Sequence, residues 1–390
     1  MSEIKVNSIK GVSASAAAIT IDNSSGTCTA NITNNLSNRN LIINGAMQVA
    51  QRGTSSTISG YGSVDRFHIQ YNAGSRTHSQ TAITSGSPYE NGFRNVLRIT
   101  NTTVGGGAGS SGITNAFQYL EAQDVANSGW NYTSSSSFVT LSFWVRSSVA
   151  QEFYGYLRTL DGTEQAYCFS TGSLSANTWT KITKTISGNS NITINNDNGA
   201  GLQVNISPFW GGDFTTSGKT TDSWAAFSGA NRTPAYATTW ASTANATFDI
   251  VGVQLEVGSV ATDFEHRSFG QELDLCRRYY YNLAFQGAFT TQALFNGSGY
   301  DGTTIYHVCV LPTPMRAVPT IEQNTSGSYF QSYGNNGANS YSTLNIDQTG
   351  STSILEIYNS GTHSRGGGVS HFTRLNSATT DGKFRLTAEL

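Results

Sequence analysis

Ile250 to Tyr280 reads IVGVQLEVGSVATDFEHRSFGQELDLCRRYY, and its hydrophobic period changes partway along. Up to Gly258 the residues alternate. Val251, Val253, Leu255 and Val257 take one side, and Gly252, Gln254, Glu256 and Gly258 the other. A period of two marks a half-buried strand. After Ser268 the apolar residues fall at Phe269, Leu273, Cys276 and Tyr280, a helical spacing that forms one stripe. Ser268 with Gln271 makes a capping box, so the pattern predicts a helix over 268–283. A closing strand needs an opening one. Asn40 to Gly53, NLIINGAMQVAQRG, supplies it, with Leu41 to Met47 read as a strand and Gln51 to Gly53 as a turn.

Between these brackets, short alternating runs recur. Val64 to Tyr71, Val96 to Thr100, Phe138 to Arg146, Phe153 to Leu160, Trp179 to Ile186 and Gly201 to Ser207 all read as strands. In the strongest, Val139, Leu141, Phe143 and Val145 form an inner face, and Thr140, Ser142, Trp144 and Arg146 an outer one. Such strands with long loops, Gly105 to Thr114 and Gly211 to Asn231 among them, predict an all-β chain built on a two-sheet jelly-roll β-sandwich. Residues 1–39 form a small N-terminal arm, too small for a core of its own. The sandwich spans 40–267, the linking helix 268–283, and a second, smaller C-terminal β domain 284–390.

Composition narrows the function. Charged residues make up 12% and aromatic residues 11% of the chain; aromatics at that level favour packed sheets over disorder. With 24 acids against 22 bases and no basic run, the electrostatic footprint of a nucleic-acid binder is missing. No apolar stretch is long enough to span a membrane, and Met1 to Lys10 carries no signal-peptide core, which places synthesis in a cytoplasm. Cys28, Cys168, Cys276 and Cys309 form no CxxC pair and read as reduced structural thiols.

The helix stripe of Phe269, Leu273, Cys276 and Tyr280 must be covered, either by the sandwich itself or by symmetry mates on a three-fold axis. No catalytic set stands out. Nucleophile elbow, HExxH and phosphate loop are all absent, and pairs such as Asp161 with Glu164 or Asp213 with Asp222 are loop acids, so no enzyme is expected. No cofactor is expected either. Asn44 and Asp249, on the first and last sandwich strands, are candidate ligands of a structural calcium ion, against the simpler reading as turn and edge residues.

Sugar recognition needs an aromatic face beside planar hydrogen-bonding groups. Trp144, beside Arg146, and Trp210 are candidate platforms, although tryptophan more often packs inside. The segment Asn324 to Ser340, NTSGSYFQSYGNNGANS, reads as a loop whose Tyr, Ser, Asn and Gly composition suits adaptable binding. Tyr329, Phe330, Tyr333 and Tyr341 are its aromatic candidates, and His363, Arg365 and His371 come from a second loop.

Several of these segments resemble, in this order, a module of tail-fibre and related virion proteins of marine tailed bacteriophages. NLIINGAMQVAQRG resembles its opening, LSFWVRSS (141–148) its central strand, DNGAGLQV (197–204) a later hairpin, and GVQLEVGSVATDFEHRSFGQELDLCRRYY (252–280) its close. MRAVPT (315–320) and LTAEL (386–390) resemble the matching C-terminal unit, and SEIKVNSIKG (2–11) is similar to cyanophage fibre openings. The resemblance covers roughly 40–390. It implies a carbohydrate-binding-like jelly roll in a homotrimeric appendage, docked to other virion tail proteins by the arm. It also implies adsorption to a host surface polysaccharide. A virion connector and a glycan depolymerase are the alternatives.

Overall fold

The computed structural model describes residues 6, 8–9, 19–21, 24, 28–30, 38–285, 293–325, 328–334, 337–347, 351–360, 367–376 and 383–390. In the arm, β1 (Ser8–Ile9), β2 (Ile19–Ile21) and β3 (Cys28–Ala30) pair antiparallel. The sandwich follows with β4 (Ser55–Ser56), β5 (His68–Tyr71), β6 (Ser75–Ala82), β7 (Asn95–Thr103), β8 (Ile113–Glu121), β9 (Phe138–Ser147) and β10 (Gln151–Thr159). It continues through β11 (Gln165–Leu174), β12 (Thr180–Ser187), β13 (Ala200–Trp210), β14 (Ser223–Ala226) and β15 (Thr247–Val257). Three short helices decorate it: α1 (Ser87–Glu90), α2 (Ala122–Ala126) and α3 (Thr239–Ser242).

These strands form two six-stranded sheets. The first has the order β12-β9-β15-β7-β6-β4, the second β14-β11-β10-β13-β8-β5. All the strand pairs within them are antiparallel. The core lies between them. Phe143 of β9 meets Phe169 of β11 at 6.2 Å, and Phe153 of β10 meets Phe248 of β15 at 4.8 Å. Val139, Leu141, Phe143 and Val145 are wholly buried, as their alternation requires. This is the jelly-roll sandwich expected from the sequence.

The closing strand departs from simple alternation at one residue. Gly252 has φ 67° and marks a register shift between Val251 and Gln254. Ile250 and Val253 therefore both face the core, and Val251 pairs with Trp144 on the outer face, not on the inner face where strict alternation puts it. Bulges of this kind re-aim side chains. The opening stretch Leu41 to Met47 is not a strand. Asn44 and Met47 adopt φ of 60° and 57°, and a left-handed residue cannot continue an extended chain.

Side-chain hydrogen bonds from both segments hold the opening one against the closing one. Asn40 Nδ2 donates to Val253 O (3.1 Å), while its Oδ1 accepts from Leu255 N (3.1 Å) and Ile42 N (3.0 Å). Asn40 N donates to Glu265, Arg267 donates to the carbonyls of Asn40 and Ile42, and Asn44 N donates to Glu272. The polar residues of the closing segment serve this seam. They hydrogen-bond a stretch of backbone that no sheet pairs.

Helix α4 (Phe269–Arg277) has the predicted capping box, with Ser268 Oγ accepting from Gln271 N. It is shorter than the predicted 268–283, because Tyr280 already pairs with Thr387 in a sheet. Its stripe is largely covered by the chain itself. Cys276 and Tyr280 are wholly buried, Leu273 is half-buried, and Phe269 is exposed. Arg52 of the opening segment lies 3.4 Å over the Tyr280 ring. Cys276 and Tyr280 are thus spent inside the chain and are not free for a seam between copies.

The C-terminal unit has two sheets. One is β16 (Tyr280–Phe285), β25 (Lys383–Thr387) and β19 (Thr320–Gln323), in that order. The other runs β21 (Gly337–Tyr341), β20 (Phe330–Gly334), β24 (Ser370–Leu375), β17 (Ala293–Gly299), β18 (Thr304–Val310), β23 (Ile354–Ser360) and β22 (Asn345–Ile346). A second core of Phe295, Phe330, Leu355, Ile357, Leu375, Phe384 and Leu386 lies beneath. The stretch 324–340, expected to be a loop, thus contributes two paired strands.

Arginines clamp this unit to the sandwich. Arg66 pairs with Glu389 and lies 3.4 Å over the Tyr279 ring. Glu121 accepts a two-pronged pair of hydrogen bonds from Arg278 (2.6 and 2.7 Å) and another from Tyr279 Oη (2.6 Å). Burial alone would raise the Glu121 pKa, and these donors bring it below the ordinary carboxylate value.

Candidate functional site: a cleft over Trp144

Three local features build a cleft on the outside of the first sheet. Alternation along β9 turns Trp144 and Ser142 outward, and register sets Lys181 of β12 directly beside Trp144. The Gly252 bulge leaves the sheet surface without a side chain, and the Phe93 ring fills that space. A Cβ on Gly252 would lie 2.7 Å from Phe93 Cζ. Phe93, Phe264 and His266 then pack as a triangle, with ring centroids 4.9–5.1 Å apart. Gly92, at φ 91°, lets the chain pass under His266, whose Nε2 lies 3.0 Å from Asn91 O.

The result is a cleft of about 440 Å³ with the half-buried Trp144 in its lining. Glu90, Asp263, Lys181 and His266 are exposed on its rim, and Ser142 is almost wholly buried within it. That volume falls within the range of small-molecule sites. Its chemistry is an indole beside hydroxyl, ammonium and carboxylate groups, with two acids facing one lysine and one histidine. Arg146, next along the outer face, is committed elsewhere. It stacks 4.5 Å over Trp179 and pairs with Asp249.

The other sequence candidates fall in different places. Trp210 is 1% exposed and its Nε1 donates to Ser207 Oγ, so it cannot serve as a platform. Residues 211–236 include the edge strand β14, and those after it pack back on the second sheet, with Arg232 4.3 Å from the Trp210 ring and Tyr236 Oη donating to Tyr154 O and Ser207 O. Phe330 is fully buried and His371 is 4% exposed. Both face the second core, because the residues around them are strands, whose alternate side chains turn inward. Tyr341 donates to or accepts from Thr373 Oγ1 (2.8 Å), and Tyr329 packs half-buried on the second core. Of that group Tyr333 alone lies on the open face of the seven-stranded sheet, stacked on Phe372 at 5.0 Å. His363 and Arg365 lie outside the described residues.

Asn44 and Asp249 do not share a calcium site. Asp249 is wholly buried and its carboxylate is held by Arg98 and Arg146. Two guanidinium groups already supply the positive charge that a cation would bring. The Asn44 side chain is used by Gln48 N, Val49 N, Val49 O and Asp65 O. Among the described residues, no cluster of three or more His, Cys, Asp or Glu could hold a metal ion, and no helix is long and apolar enough to cross a membrane. Cys168, Cys276 and Cys309 are buried and unbridged.

The sequence reading placed Trp144 on the outer face but missed the rest of the cleft. Phe93, Phe264 and His266 come from segments with no period, and only the two glycines hint that a ring packs there.

No family model matches the chain, and no curated protein matches it. Among solved structures it is similar to the enzymatically active domain of tailspike protein 4 of bacteriophage CBA120, at 12% identity and a TM-score of 0.31, over 56% of this chain and 21% of that one. It is similar to a family 11 carbohydrate-binding module from Clostridium thermocellum, at 10% identity and a TM-score of 0.26, over 54% and 98%. A third similar structure is a putative sugar binding protein from Bacteroides thetaiotaomicron, at 10% identity and a TM-score of 0.27, over 56% and 99%. Structural neighbours of this sandwich thus include carbohydrate-binding modules and a phage tailspike domain.

Proposed function

We propose that the chain is a virion appendage protein of a tailed phage that attaches to a host-surface glycan through the Trp144 cleft. The observation that carries this reading is the cleft's chemistry. A sugar ring has an apolar C–H face that stacks on an indole and a rim of hydroxyls that need planar or charged partners. Trp144 with Lys181, Glu90, Asp263 and Ser142 offers both within one concavity. The near balance of rim charge suits a neutral saccharide. In this reading the arm docks to other tail proteins and attachment involves no covalent step. Affinity per site is modest, and many copies on one particle supply avidity.

Titration of capsular and lipopolysaccharide glycans against the purified full chain, by calorimetry or on an array, tests it. Trp144→Ala should lower affinity about tenfold or more, and Lys181→Ala, at an exposed position, should lower it less with unchanged melting. Virions carrying Trp144→Ala should assemble and fail to adsorb. Full adsorption by those particles sinks the proposal.

A further inference from the structure

The two sheets of the sandwich part along the edge formed by β12 and β14. Register sets Trp224 opposite Tyr167 and Ala226 opposite Gln165, all on the face that Tyr167 turns toward the core. Trp224 spans the gap between the sheets. Its Nε1 donates to Ser187 O at the end of β12 (2.7 Å), and its ring meets Tyr167 edge-on at 5.6 Å. The next residue on the same face is Ala226, too small to reach across. The space beside it is a hollow of about 520 Å³.

The lining brings polar groups that the chain itself leaves unused. Ile192 and Ile194 turn into the core, so Thr193 between them turns out. Thr163, Asn191 and Thr193 line the hollow, and their side chains hydrogen-bond no other described residue. The flanking Asn189 and Asn195 side chains are engaged, by Asn191 N and by Asp161. Gln165 forms the floor and is 4% exposed. Its Nε2 donates to Thr163 O (3.1 Å) and Glu164 O (3.2 Å), and no donor among the described residues meets its Oε1. A buried acceptor without a donor costs free energy until a bound molecule supplies one.

We infer that this hollow is a second saccharide site, selective for neutral sugars. The Trp224 indole takes the apolar C–H face of a sugar ring. Gln165 Oε1, Asn191 and the two threonines take its hydroxyls. Among the described residues no charged side chain lines the hollow, so a sulfate, phosphate or uronate would be desolvated there without a partner. Trp224 is the one large apolar side chain of that lining, so an apolar ligand would strand the hydroxyls and amides around it. The hollow shares no lining residue with the Trp144 cleft and stands whether or not that cleft binds sugar. Lys181 of the cleft and Ser187, which holds Trp224, are six residues apart on β12, roughly 20 Å, so one short saccharide cannot fill both.

Calorimetric titration of the full chain carrying Trp144→Ala tests the site, because binding that remains is not the cleft's. The probes are neutral oligosaccharides of glucose, galactose and N-acetylglucosamine, with a uronic acid oligomer as the charged comparison. The neutral probes should bind, and the uronic acid oligomer at least about tenfold more weakly. Ala226→Phe should fill the hollow and weaken binding about tenfold or more, with unchanged melting because Ala226 is exposed. Asn191→Ala, also exposed, should weaken it about fivefold. Trp224→Ala should weaken it about tenfold or more and also lower the melting temperature, since it opens the sandwich edge. The Ala226 variant separates those two effects. Failure of every neutral probe to bind overturns the inference, as does a preference for the uronic acid oligomer. Undiminished binding by Ala226→Phe equally overturns it and leaves Trp224 as a plug of the sandwich edge.

Discussion

Arg66 and Glu389, separated by more than 300 residues, form an ion pair inside the seam between sandwich and C-terminal unit. The Arg66 side chain is 1% exposed and that of Glu389 8%. Burial works against the guanidinium charge, and Glu389, Tyr279 and Tyr61 around it restore it. Removing one member of a buried pair leaves the other uncompensated. Glu389→Ala should therefore cost about 3–5 kcal/mol in denaturant unfolding. A cost below about 1 kcal/mol would show that the pair is not what holds Arg66.

Asn40 carries the seam between the opening and closing segments. Its amide serves Val253, Leu255 and Ile42 at once, all from a buried position. Asn40→Ala should lose about 3 kcal/mol, roughly one for each hydrogen bond. Asn40→Asp, which keeps the acceptor but not the donor, should lie between the two. Hydrogen exchange at the amides of Ile42 and Leu255 reads the same event locally, and unchanged protection there would count against it.

Gly252 combines a left-handed backbone with a ring against its missing side chain. Gly252→Ala should cost at least about 2 kcal/mol, from the backbone and from displacing Phe93. Because Phe93 lines the Trp144 cleft, saccharide affinity should fall with stability. In a double-mutant cycle with Phe93→Ala the two costs should be less than additive. Strict additivity would mean that the ring is not the obstacle.

His307 is buried in the second core, and desolvation lowers its pKa to about 4, helped by the neighbouring His371. A folded pKa below the ordinary 6.5 means that unfolding takes up a proton. The stabilisation is complete above pH 6.5 and is lost as pH falls toward 4. It amounts to about 3 kcal/mol at most. Asp65, raised to about 6 by burial, acts in the opposite sense, losing its contribution as pH rises through 6. Comparing wild type with His307→Gln separates the two. The variant should lose less stability between pH 6.5 and 4, and parallel curves would rule His307 out.

The strands that sequence made visible are those with one face in the core and one in solvent. β9 alternates cleanly, and so does β15 beyond its bulge. The capping box at Ser268 was also legible, because Ser268 and Gln271 meet within one turn. What stayed hidden was polar sequence placed inside. β6, SRTHSQTA, has hardly an apolar residue, yet Arg76 and His78 on it are wholly buried. In β8, Asn115 and Gln118 are buried as deeply as Ala116, because other parts of the chain cover both faces. The C-terminal aromatic segment misled for a related reason. Composition describes a loop and a strand alike, and pairing with β24, which sequence does not record, decided that Phe330 turns in and Tyr333 out.

The seam of Asn40, Glu265 and Arg267 also governs how the module carries force. The chain reaches the sandwich at Arg39 and leaves it near Arg267, and these points are bridged directly, Arg39 donating to Asp263 O and Arg267 to Asn40 O. Tension applied along the chain from both sides passes through this short bridge and does not travel through the twelve strands behind it. The sandwich hangs from the line of pull as a side loop, sheltered from load until the bridge parts. Until that bridge parts, the sheet that carries Trp144 is spared tension running along the chain.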